Sequence, residues 1–280
     1  MKRGRIYRMS LYHLCIIFFG CVMLYPVAWM IAGSFKTNVE ILNNSLTLWP
    51  ENFSVNNYVT GWLGFGGITF GTFFRNSIIV SCGATLGTVL SSSLVAYGFS
   101  RLRFPGRRFW FICMMLTMML PGQIMLIPQY IIFLKLGWIN KFYPLIVPAF
   151  GGSAFFTFMI MQFIQGLPRE LDEAATIDGC SPYSIFPRII LPLIVPSLVT
   201  ATVISFYWKW DDFLGPLLYL SRVQMFTVSV AIKAFADASS STDYGAMFAM
   251  STLSLLPVFL IFLFFNRLLI EGVSTTGMKN

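Results

Sequence analysis

Side chains able to do chemistry are scarce in this sequence and gather in two places. Arg169, Glu170, Asp172, Glu173 and Asp178 fall within ten residues of a chain that is only 11% charged. Lys209, Asp211 and Asp212 form a second group inside the stretch from Trp208 to Phe213. Clustered acids are the raw material of acid–base and metal chemistry, but the complementary groups are missing. His13 is the only histidine, and the five cysteines (Cys15, Cys21, Cys82, Cys113 and Cys180) include no C-x-x-C pair. Four of them lie inside apolar runs and read as small hydrophobes. No G-x-x-x-x-G-K-[ST] phosphate loop occurs, so the chain does not bind ATP by that route. These residues do not assemble into the site of a membrane enzyme.

The first group sits in a connection. Pro168 to Pro196 is the only polar, acid-rich interval between two long apolar runs, and it far exceeds the roughly 2–8 residues that usually join helices. The spacing predicts a short helix over 170–177, with acids in its first turn where the helix dipole favours them. Gly179 follows at a position suited to a left-handed C-terminal cap. Ser181-Pro182 reads as an N-cap and first-turn proline that open a second helix. The product is a helix–turn–helix elbow whose small residues, Ala174, Ala175 and Gly179, leave room for something to approach closely. On these grounds alone a docking element and a solvated loop with ordinary caps are both open.

Around the elbow the chain is apolar. Its 280 residues are 56% hydrophobic with 29 phenylalanines, and the mean hydropathy is +0.73. Runs of about twenty apolar residues imply membrane-spanning helices. They fall at about 11–33, 76–99, 109–133, 144–164, 193–220 and 247–269, so the expected fold is an all-α integral membrane protein with six transmembrane helices. Residues 1–10 would be a cytoplasmic N-terminus, 34–73 an extracellular loop, 74–269 a five-helix core containing the segment 168–190, and 270–280 a cytoplasmic tail. The first run is too long for a signal peptide and lacks a small-x-small cleavage site, which predicts an uncleaved helix. In the second, Gly83, Gly87 and Ser91 recur every four residues and offer a small-residue face for tight packing. Prolines 121, 128, 192, 196, 216 and 257 are expected to interrupt spans.

The formal net charge of +8 follows this layout rather than marking a nucleic-acid face. With the N-terminus inside, the inner segments hold Lys2, Arg3, Arg5, Arg8, Arg101, Arg103, Arg107, Arg108, Arg169, Arg188, Arg267 and Lys279. The outer segments hold half as many: Lys36, Arg75, Lys135, Lys141, Arg222 and Lys233. Such a bias puts both termini, and the elbow, on the cytoplasmic side.

The second charged group lies late in the fifth run, roughly 24–29 Å from its start at 1.5 Å per residue. Charges at the bilayer centre cost roughly 2.5–3.5 kcal/mol each and usually face a cavity or a partner; nearer the surface the cost falls. Two readings remain. One is snorkelling at the interface with a Lys209–Asp212 pair. The other is a translocation lining or gate formed by Trp208, Trp210, Asp211, Asp212 and Phe213, with aromatic rings stacking on sugar rings.

Glu173-Ala174-Ala175, then Asp178-Gly179, then Phe186, Ile189, Leu191-Pro192 and Pro196 resemble the EAA signature of ABC importer permeases, and within them the carbohydrate branch typified by maltose and glycerol-phosphate importers. Asn52-Phe53 and Asn57-Tyr58, the basic turn of Arg101, Arg103, Arg107 and Arg108, and the tail from Glu271 to Asn280 are similar to the same family. Trp208 to Phe213 resembles its Trp-Asn-(Asp/Glu)-Phe motif, with Asp211 in place of the usual asparagine. Cys180 replaces a usual alanine. The resemblance implies a type I ABC importer permease fold in a bacterial inner membrane, with the elbow as a coupling helix that docks on an ATPase subunit. Glu170, Glu173, Ala174, Ala175, Asp178 and Gly179 would form the coupling surface: Glu173 as polar anchor, the two alanines as the close-contact surface and Gly179 as the turn. The implied partners are a second, homologous permease subunit, two ATPase subunits, an extracellular solute-binding protein and membrane lipid. ATP and Mg would be used by the ATPases, with no cofactor bound by this chain. The function so implied is carbohydrate import. A polyol, sugar-phosphate or other small-solute cargo is the alternative. A self-sufficient secondary transporter is a further one, but it would need mid-membrane ionisable groups and an inverted repeat that the sequence lacks.

Overall fold

In lipid each backbone polar group must bond within its own segment, so long apolar sequences become long helices. The computed structural model describes the backbone of residues 2–44, 47–236 and 243–277, and side chains over 9, 11–44, 47–236 and 243–266. In chain order the helices are α1 (Lys2–Gly33), α2 (Asn38–Asn43), α3 (Asn56–Leu63), α4 (Phe70–Arg101), α5 (Arg107–Met119), α6 (Leu126–Lys135), α7 (Tyr143–Ile146), α8 (Ala154–Gln165), α9 (Glu170–Ile177), α10 (Pro182–Ile185), α11 (Leu191–Leu193), α12 (Val195–Trp210), α13 (Leu214–Tyr219), α14 (Val228–Phe235) and α15 (Tyr244–Gly277). Among the described residues there is no strand.

Four segments are long and apolar enough to cross a membrane: Leu11–Gly33, Phe70–Arg101, Tyr143–Gln165 and Tyr244–Asn266. Two helix pairs join them if each counts as one span, 107–119 with 122–135, bent by 96°, and 182–193 with 195–210, bent by 76°. Six runs of sequence thus become four through-helices and two sharply bent pairs.

Several expected boundaries move, each for a local reason. Helix α1 begins at Lys2, because nothing in the basic start breaks a helix that the apolar run propagates. The loop assigned to 34–73 contains α2 and α3 and gives way to α4 at Phe70. Pro121 does break its span, but Pro128 sits in the first turn of α6, where its missing N–H has no helical acceptor to lose. Likewise Pro196 opens α12 and Pro216 falls in the first turn of α13. The fifth run ends at Trp210 rather than continuing to Leu220, and α15 passes unbroken through Pro257 into the tail as far as Gly277. Asp237 and Ser239, Ser240 and Ser241 in the connection before α15, and the tail residues 278–280, lie outside the described residues.

The chain divides into two units, 1–71 with 231–256, and 72–230 with 257–280. Within the first unit the polar residues of the loop tie it down. Asn57 Nδ2 donates to the Ser34 and Lys36 carbonyls at 2.8 and 2.7 Å, and the Tyr58 and Ser34 hydroxyls are 2.7 Å apart. Phe35 stacks on Phe53 at 4.7 Å. Asn38 joins the start of α15 by donating to Asp243 and accepting from the Gly245 N–H.

The second unit packs around α4. At its far end Ala96, Tyr97 and Phe99 join Phe156, Ile160, Met161 and Ile164 of α8 and Ile190, Ile194 and Ala201 of the bent pair. At its near end Val80 packs with Phe133, Leu145, Tyr219 and Leu220. Gly87 brings α4 close to the segment after α7. A Cβ there would stand 2.6 Å from the Phe150 ring, and the Ser91 hydroxyl, one turn on, reaches the Ala149 carbonyl at 3.3 Å. The small-residue face read from the sequence is thus a packing face.

Candidate functional site

Helix α9 begins and ends where the sequence places it. Its end is a Schellman cap: the Gly179 N–H bonds the Thr176 carbonyl at 3.1 Å and the Cys180 N–H the Ala175 carbonyl at 2.9 Å. Gly179 has φ +81°, a conformation that costs any residue with a Cβ. Cys180 then packs on the core as a small hydrophobe. The Ser181 hydroxyl accepts from the Ser184 N–H and caps α10. Beyond it, Phe186–Ile190 forms a π turn, closed by the Leu191 N–H on the Phe186 carbonyl.

Helical periodicity sorts the acidic residues onto two faces. Glu170, Glu173, Ala174 and Ile177 are exposed on one stripe, and Asp178 and Gly179 are exposed at its end. Ile177 and Tyr183 are 86% and 85% exposed, unusual for apolar side chains beside so many acids. Ala175 is 4% exposed and belongs to the chain's own core with Ile185. Of the two alanines, Ala174 is therefore exposed on the outward stripe, and Ala175 is turned inward by its position in the helix.

Asp172 also turns inward, and this was not legible beforehand. Its Oδ2 lies 2.8 Å from Arg101 Nε at the end of α4, the one ion pair among the described residues. The Nε–H does not point along that line, so the contact is Coulombic rather than a well-angled hydrogen bond. Arg101 Nη2 also donates to the Leu167 carbonyl at 2.9 Å. One turn earlier in α4, the Tyr97 hydroxyl donates to the Pro182 carbonyl at 2.8 Å while its ring meets Phe186 at 5.0 Å. Both arms of the elbow are thus fastened to the same helix.

The second charged group divides. Trp208, Lys209 and Asp212 line a cavity of about 460 Å³ together with Gln123, Gln129, Ser205 and Tyr219, among others. Trp210 is buried against Phe206 at 5.7 Å, Asp211 is exposed at the end of α12, and neither they nor Phe213 line it. No Lys209–Asp212 ion pair forms among the described residues. Asp212 Oδ1 instead accepts the Gly215 N–H at 3.1 Å, and its carbonyl accepts from Ser229 at 2.7 Å, fixing the turn into α13. Trp208 rests on Phe155 and Phe156 at 5.3 Å each. The Ser205 and Tyr219 hydroxyl oxygens are buried and have no hydrogen-bond partner among the described residues. Ser205 was visible in principle, since it precedes Trp208 and Lys209 by three and four residues on one helix face. Tyr219 and the glutamines come from other elements and carried no local signal.

Comparison with known proteins agrees with this architecture. Over 256 residues the chain is 32% identical to the probable ABC transporter permease protein YurM of Bacillus subtilis, covering 91% of this chain and 83% of that one. It is 31% identical to the arabinooligosaccharides transport system permease protein AraQ of Halalkalibacterium halodurans, covering 94% and 93%. A chain of the crystal structure of a bacterial ABC transporter involved in import of the acidic polysaccharide alginate superposes with a TM-score of 0.81 over 95% of this chain and 98% of that one; at 19% identity the likeness is one of fold. Residues 83–275 match the family described as the binding-protein-dependent transport system inner membrane component, and the chain belongs to that family, the permease subunits of ABC transporters.

Proposed function

We propose that this chain forms half of the translocation pathway of an ATP-driven carbohydrate importer and receives the ATPase stroke through the elbow at 168–190. It sits in a bacterial inner membrane with both termini and the elbow on the cytoplasmic side, as the bias of basic residues favours. Its partners are a homologous permease subunit, two ATPase subunits that use ATP and Mg, and an extracellular solute-binding protein.

The observation that carries this reading is the two-faced elbow. Glu170, Glu173, Ala174, Ile177 and Tyr183 point away from the chain, and Asp172, Ala175 and Ile185 hold the same helices to α4 and the core. An exposed apolar pair flanked by unpaired acids fits a cleft with an apolar floor and basic rim. A push on that stripe is transmitted through Asp172 and Pro182 to α4, and from there along a membrane span. The cavity supports a sugar as cargo: an indole face, two amides and two buried hydroxyls suit a ring that is apolar on its face and hydroxylated at its edge. The name of the arabinooligosaccharide relative points the same way.

The test is co-purification of the ATPase and uptake of labelled oligosaccharide by the reconstituted complex, comparing wild type with Glu173→Arg and Ile177→Asp. Loss of ATPase binding, or hydrolysis without uptake, in chains that still assemble with the partner permease supports the reading. Unchanged uptake, or uptake with no ATPase present, overturns it. Uptake of a polyol or sugar phosphate in place of the oligosaccharide keeps the coupling element and replaces the cargo.

A further inference from the structure

A second cleft, of about 470 Å³, opens between α5 and α8 at the elbow end of their spans. Its floor is apolar: Phe99 and Met161 are buried core residues and Phe111 is half-buried against them. Its rim is Arg107, Arg108, Gln162 and Gln165. No carboxylate lines it, and the nearby Asp172 is already taken by Arg101. Among the described residues neither arginine makes an ion pair or a hydrogen bond, although Arg107 is half-buried. Beside them Phe109 and Trp110 are 62% and 58% exposed at the start of α5, the placement of aromatic residues at a membrane interface.

We infer that this cleft binds an anionic phospholipid of the bilayer, with its phosphate on Arg107 and Arg108 and an acyl chain along Phe99, Phe111 and Met161. Guanidinium groups match phosphate oxygens in a bidentate fork, and basic pockets between membrane helices are a known form of headgroup site. A free phosphate would leave the apolar floor unused, and a zwitterionic lipid would bring its own cation against two arginines. The complementarity therefore selects a molecule that is anionic at one end and apolar at the other. The site is separate from the cavity at Trp208 and from the outward stripe of the elbow, although α5 begins only a few residues after Arg101, the residue that holds Asp172.

The assembled importer, purified in mild detergent, would be titrated with phosphatidylglycerol and with phosphatidylcholine and read by native mass spectrometry. Wild type is expected to retain phosphatidylglycerol roughly thirtyfold more tightly at its strongest site, as two basic contacts of about 1 kcal/mol each near a membrane surface provide. Arg107→Gln with Arg108→Gln should remove that preference, and the paired lysine variant, which keeps the charges but not the fork, should restore part of it. An unchanged preference in the glutamine variant overturns the inference. So does displacement of the lipid by millimolar inorganic phosphate, which would make this a headgroup-only anion site. Protection of Gln162→Cys from a thiol reagent in delipidated complex would mean that a partner protein fills the cleft, and overturns it as well.

Discussion

Arg101 Nε lies 2.8 Å from Asp172 Oδ2, joining the last turn of α4 to the inward face of α9. The two side chains are largely shielded, at 6% and 21% exposure, so removing one partner leaves the other charge poorly solvated. Asp172→Ala is expected to destabilise the elbow by roughly 3 kcal/mol, seen as faster hydrogen exchange over 170–177. Replacing both residues by apolar ones of similar volume should cost less than the single change. A double variant that costs as much as the two single variants added together would show that the pair carries no coupling.

Gly179 offers a separate test of the turn. A Cβ would meet nothing within 4 Å, so only the positive φ opposes substitution. Gly179→Ala should cost roughly 1–2 kcal/mol and leave ATPase binding measurable. Gly179→Pro, whose ring fixes φ near −65°, should reorient α10 and abolish co-purification with the ATPase. Identical behaviour of the two variants would remove backbone conformation as the cause.

Gly87 tests packing in the membrane. Its missing Cβ lets Phe150 close to van der Waals contact, but that ring is 51% exposed and able to swing aside. Gly87→Ala should therefore be mild. Gly87→Leu should force α4 from the 147–151 turn at a cost of roughly 1–3 kcal/mol, measured as a lower midpoint of detergent-induced unfolding of the complex.

The cavity separates binding from folding. Ser205→Ala and Tyr219→Phe each remove a buried hydroxyl that has no partner among the described residues, so stability should hold or rise slightly while the KM of uptake increases. Trp208→Ala should raise KM further, since an aromatic face contributes roughly 0.5–1.5 kcal/mol beyond the area it buries. Trp210→Ala, which removes a buried ring that does not line the cavity, should instead lower expression and leave the KM of the surviving protein unchanged.

The local chain determined what depends on a few neighbouring residues. The acids of α9, the left-handed Gly179 and the Ser181-Pro182 start set the elbow's boundaries, because dipole, cap and φ preferences act within one turn. The spacing of Gly83, Gly87 and Ser91 set a packing face, and the length of the apolar runs set how many segments enter the membrane. Tertiary structure decided the rest. Spans that are apolar on every side give no stripe from which to read their buried face, so the approach of Arg101 to Asp172 and of Tyr97 to Pro182 left no trace in the local sequence. The 96° and 76° bends fall beside Pro121 and between Pro192 and Pro196, whereas Pro257 in the middle of α15 leaves that helix unbroken, so proline alone does not say which span bends. The division of the second charged group, with Trp208 and Asp212 lining the cavity and Trp210 buried against Phe206, follows from the rotation of α12 against α8, and only packing fixes that rotation.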